Sequence, residues 1–128
     1  MTTTTQPTVE QIMAGMSAGL GGKAVPPMIQ LAATVMPDMV LRQAQDSGFA
    51  MPKDETGVLS EETRTLIYLG VALATGSRAC VEAMTNKAHV LGIESSKLLE
   101  TFKIARFAEA TRVLGNAEPL FAALESGN

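Results

Sequence analysis

The chain has no tryptophan, and only one tyrosine, one histidine and one cysteine among its 128 residues. So few aromatics argue against a platform on which a ligand ring could stack. A single cysteine excludes an intrachain disulfide framework. A single histidine, His89, with no second one near it, argues against a metal site, and no cofactor is expected. Charge is scarce and nearly balanced, with 10 Lys and Arg against 13 Asp and Glu for a net of -3. No basic cluster appears, so nucleic acid is not an expected partner. The longest uncharged apolar run, Leu66 to Ala74, falls far short of the ~20 residues a membrane span needs. With no signal-peptide pattern at the start of the sequence, the expected compartment is the reducing cytoplasm.

Apolar side chains are what the sequence does have. Hydrophobic residues make up 46% and charged residues 18%, a rich ratio for one small domain. Apolar surface that a small core cannot absorb goes into subunit contacts, so a homo-oligomer is expected. Eight methionines suit adaptable packing inside or between subunits.

The organisation is all-α, and no segment alternates as a half-buried strand would. Residues 1–8 read as a Thr-rich disordered tail and 9–128 as one helical domain. Thr8 and Gln11 form a capping-box pattern ahead of Val9, Ile12, Met13 and Met16, and Gly21-Gly22 ends that helix. Pro26-Pro27 opens a second helix. Pro37 opens a third, expected to reach about Gly48. Ser60 caps a fourth, with Glu61 and Glu62 as first-turn charges. The fourth helix is apolar on most sides, which predicts a central, buried position. Ser77 is expected to cap a fifth helix ending at Gly92. A sixth runs from about Ser95 to Leu114, and a short last one from Glu118 to Leu124. Gly19-Leu20-Gly21-Gly22 lacks the preceding strand and following Lys-Ser/Thr of a phosphate loop.

Cys80 falls in the first turn of the fifth helix, where the helix dipole favours an anionic sulfur. The Ser77 hydroxyl is expected to accept the Cys80 N–H. Residues four apart share a helix face, which puts Met84 beside Cys80. His89, nine residues on, lies about 180° round the helix and about 13 Å along it, beyond reach of Cys80 within one subunit. Glu82 also points away. The alternative for Cys80 is that of a small buried hydrophobe.

The segment LSEETRTLIYLGVALATGSRACVEAMTNKAHVLGI resembles the carboxymuconolactone decarboxylase superfamily, most closely its alkyl hydroperoxidase D-like branch. The scaffold positions that carry the resemblance are Leu59, Arg64, Leu66, Ile67, Leu69, Val71, Ala88 and Gly92. The resemblance implies an all-α, hydroperoxidase D-like bundle of six to seven helices, assembled as a trimer or hexamer. In that branch the second cysteine of C-x-x-C attacks peroxide, the first resolves it, and a histidine and a glutamate relay protons. Carried onto this chain, Cys80 is the attacking thiol. Ser77 stands at the resolving position, Met84 at the histidine and Thr65 at the glutamate. Ser77 cannot form a disulfide, and Thr65 and Met84 cannot accept a proton at any useful pH.

Two functions follow. One is a peroxidase-like thiol oxidoreductase using Cys80 alone, with an external thiol to resolve the sulfenic acid. The other is a non-catalytic oligomer that binds a small molecule or a protein partner. Glu109, on the Leu98–Phe102–Ala105 stripe, reads either as a substitute base or as a salt bridge to Arg112 or Arg106. The Tyr68 hydroxyl reads as a ligand contact or as a satisfied core or interface group.

Overall fold

The structure, a computed structural model, describes residues 6–53 and 56–127; most of the Thr-rich tail, residues 1–5, lies outside them. Among the described residues the chain forms seven α-helices and no strand. They are α1 (Val9–Gly19), α2 (Pro27–Val35), α3 (Pro37–Ala50), α4 (Glu61–Thr75), α5 (Arg78–Leu91), α6 (Ser95–Asn116) and α7 (Glu118–Glu125).

The local punctuation explains the boundaries. At α1 the Thr8 side chain accepts from the Gln11 N–H, and the Gln11 side chain accepts from the Thr8 N–H, so the capping box is complete. At α4 the extended Ser60 backbone aims its hydroxyl at the Thr63 N–H, 3.1 Å away. Gly76 and Gly92 take left-handed φ of 75° and 70° and close α4 and α5. Two ends run past expectation. Helix α3 reaches Ala50, and α6 continues through Gly115, which has no positive φ, to Asn116. Only Ala117 then separates α6 from α7.

Helix α4 packs against both α5 and α6, while α3 holds α1 and α2 and α7 rests on α6. Two groups of contacts tie these parts together. The α1–α2 link meets α5, where the Lys23 ammonium donates to Asn86 Oδ1 at 3.0 Å and Gly21 lies beside Val90. The buried Arg64 of α4 donates from Nη1 to the Leu59 carbonyl and from Nη2 to the Pro52 carbonyl, each at 2.5 Å. Arg64 thus fastens the chain that joins α3 to α4.

The core is thin and made of short side chains. Val40, Leu69, Ala72, Ala88, Ile93 and Ala105 are buried. The expectation that α4 is enclosed on most sides does not hold: Ile67 and Val71 are 51% and 56% exposed. The cause is that α5 and α6 cover two flanks of α4 and the remaining one faces an open cavity. Phe102, assigned to the inner stripe of α6, is likewise 49% exposed.

Candidate functional site

The site forms where α4 turns into α5. Gly76 in the left-handed region lets the Ser77 N–H reach back to the Ala72 carbonyl at 2.9 Å, the long-range bond of a Schellman turn. The chain therefore reverses within two residues. The first turn of α5 lands against the body of α4, and Cys80 meets Tyr68. The Tyr68 oxygen and Cys80 Sγ are 3.2 Å apart, a hydrogen bond.

Both side chains face a cavity of about 440 Å³, within the size range of small-molecule pockets. Met51 at the end of α3, Leu59, and Ile67 and Val71 of α4 supply apolar walls. Thr75, Ser77, Tyr68 and Cys80 supply polar atoms, and Arg64 lines the cavity too. A Cβ on Gly57 would overlap Arg64 Nη1, so the glycine gives the guanidinium room to grip the joining segment beside the cavity.

Tyr68 is the group whose ionisation the site changes most visibly. Its phenol is pushed up from the usual 10.0 to about 12, first by the hydrogen bond to Cys80, then by burial, then by the charge on Cys80. At neutral pH the phenol is protonated, and against a thiolate it can only donate.

The structure brings together some of the sequence-derived positions and separates others. Cys80 and Ser77 both line the cavity. Ser77 does stand at the N-cap of α5, but the expected side-chain cap is absent. The Schellman turn holds its backbone at ψ 86°, whereas Ser60, which does cap, sits at ψ 158°. Thr65 is fully buried, and its hydroxyl donates to the Glu61 carbonyl at 2.8 Å. Neither Thr65 nor the half-buried Met84 lines the cavity. Glu109 also lies off it and bonds the Arg112 guanidinium at 2.8 and 2.9 Å. His89 and Glu82 are exposed.

The sequence leaves the Tyr68 hydroxyl as a ligand contact or a satisfied core or interface group, and does not name Cys80 as its partner. The available signal was its place as the one polar side chain in the apolar run Leu66 to Ala74 of α4, one turn beyond Thr65. Which face of α4 meets the start of α5 depends on the turn and crossing of the two helices, and periodicity does not encode that.

The family model described as carboxymuconolactone decarboxylase family matches residues 41–123, which takes in the whole α4–α5 corner. A comparison with curated proteins finds no match.

Proposed function

Because the chain belongs to the carboxymuconolactone decarboxylase family, we propose that it is a peroxidase-like thiol oxidoreductase of the alkyl hydroperoxidase D-like branch, working through Cys80 alone. The observation that carries this reading is the position of Cys80: its sulfur lines the cavity and is hydrogen-bonded to a phenol. The thiolate attacks one oxygen of a peroxide, the O–O bond breaks, and Cys80 becomes a sulfenic acid. Ser77 stands at the resolving position and has no sulfur to offer. An external thiol therefore condenses with the sulfenic acid and releases water, and a second thiol reduces the mixed disulfide. We further propose that the chain works as a homo-oligomer, trimeric or hexameric, in the cytoplasm.

A second reading rests on Thr65. Its buried hydroxyl is committed to the Glu61 carbonyl, so the relay position carries no titrating group, and the apolar cavity then serves only to bind a small molecule or a partner. One experiment separates the two. Mild peroxide with a sulfenic-acid trap should label Cys80 in the native chain and leave Cys80→Ser unlabelled. Absence of trapping in the native protein, with the thiol intact, rejects the enzymatic reading and leaves the binding one.

A further inference from the structure

A peroxide-reducing thiol needs more than a thiolate, because the oxygen that leaves must acquire a proton. At the relay positions, Met84 has no donor, and the Thr65 hydroxyl is not acidic and already donates to the Glu61 carbonyl. Glu109 is held by Arg112 away from the cavity, and His89 is exposed on α5. Within the cavity, the acidic hydroxyl in contact with the sulfur is that of Tyr68.

We infer that Tyr68 is the general acid of this site: its hydroxyl, 3.2 Å from Cys80 Sγ, donates a hydrogen bond to the thiolate and then a proton to the departing oxygen. The inference rests on the peroxidase-like reading and adds a catalytic residue to it. In the step, a sulfur lone pair forms an S–O bond to the nearer oxygen of a hydroperoxide, R–O–OH or H–O–OH. The O–O bond breaks and its electron pair leaves with the farther oxygen. Sulfur loses two electrons and the peroxide gains them. The departing RO⁻ or HO⁻ takes the Tyr68 proton and leaves as an alcohol or water, and the phenolate recovers a proton from solvent. Sulfur becomes a weaker acceptor as it gives up charge, which frees the hydroxyl to turn to the leaving oxygen.

The acidities run in the required direction. A phenol at about 12 is protonated at neutral pH, and it is still a far stronger acid than water at about 15.7. Proton transfer to a departing hydroxide or alkoxide is therefore downhill. The cavity geometry agrees, since Tyr68 and Cys80 share one wall and a peroxide seated there meets both.

The test compares two reactions of the same sulfur. Peroxide has a leaving oxygen that needs a proton; iodoacetamide loses iodide, which needs none. In Tyr68→Phe the rate of Cys80 oxidation by hydrogen peroxide or by cumene hydroperoxide should fall about a hundredfold. The rate of alkylation by iodoacetamide should change by less than about threefold. Equal losses in the two reactions, or no loss in either, overturn the acid role. The hydrogen bond has its own test in a different variant. With one tyrosine and no tryptophan in the chain, phenolate absorbance reads Tyr68 alone. Its titration midpoint should lie near 12 in the native protein and move toward 10 in Cys80→Ala. An unchanged midpoint removes the contact on which the proposal stands. If native Cys80 alkylates normally yet never oxidises, the peroxidase reading itself falls. If it oxidises and Tyr68→Phe oxidises as fast, only the role of Tyr68 falls.

Discussion

At the residue scale, one hydrogen bond links the two chemically distinctive side chains of the sequence, its only cysteine and its only tyrosine. The bond has a consequence for stability as well as for chemistry. In the folded chain the Tyr68 phenol keeps its proton up to about 12, against the ordinary 10.0. Below about pH 10 both folded and unfolded chains hold that proton, and the full stabilisation is present. Between about 10 and 12 the unfolded chain releases it first, so stability falls as pH rises. Lys87 works in the opposite sense, because burial lowers its pKa from the usual 10.5 despite the nearby Glu61 carboxylate. Comparison with Tyr68→Phe isolates the phenol. Urea midpoints measured from pH 9 to 12 should fall more steeply for the native chain than for the variant, and parallel curves would refute the coupling.

At the element scale, two serines at helix starts have opposite weights. Ser60 accepts the Thr63 N–H at 3.1 Å, while Ser77 makes no side-chain cap. Ser60→Ala should cost about 1 kcal/mol in urea unfolding at fixed protein concentration. Ser77→Ala should stay within about 0.5 kcal/mol. A larger loss at Ser77 than at Ser60 would contradict the cap geometry. The difference comes from what precedes each helix. Ser60 follows an irregular segment and is free to extend, whereas Ser77 is the last residue of the turn that closes α4. That turn matters more to the site than the cap would, since it brings the first turn of α5 against Tyr68.

At the scale of the whole molecule, the single chain exposes 9508 Å². A compact monomer of 13.4 kDa would expose about 6,500 Å². Much of the excess is apolar: Ile104 and Phe107 on α6 and Leu120 and Leu124 on α7 are each 58% exposed or more. Helix α6, with Ala105 as its one buried residue, spreads its apolar side chains round its axis and is poorly covered by α4 and α7 alone. Exposed apolar surface of this kind on α6 and α7 is what a subunit interface covers. The proposed trimer or hexamer should give three or six times the chain mass in sedimentation equilibrium. A 13.4 kDa species that stays folded at micromolar concentration would reject the oligomer.

Much of this fold could be read directly from the residues. Thr8 with Gln11, Ser60, Pro27, Pro37, Gly76 and Gly92 mark helix ends through interactions confined to a few neighbouring residues. Short-range interactions of that kind are written in the sequence itself, as is the placement of Cys80 in the first turn of α5. The excess of apolar residues was legible too, as composition. The partner of Cys80 was not. Tyr68 and Cys80 belong to different helices, and their meeting depends on the αL residue at Gly76, the Schellman bond to Ala72 and the crossing of α4 with α5. The same holds for the exposed flank of α4. Its sequence is apolar on most sides, and only the positions of α5 and α6 decide which side is left to line a cavity. The sequence by itself determined the helices, most of their ends and the helix that carries the thiol, because each is settled by neighbours along the chain. Tertiary structure alone decided what the thiol touches, because side chains twelve residues apart on separate helices meet only when both helices are packed.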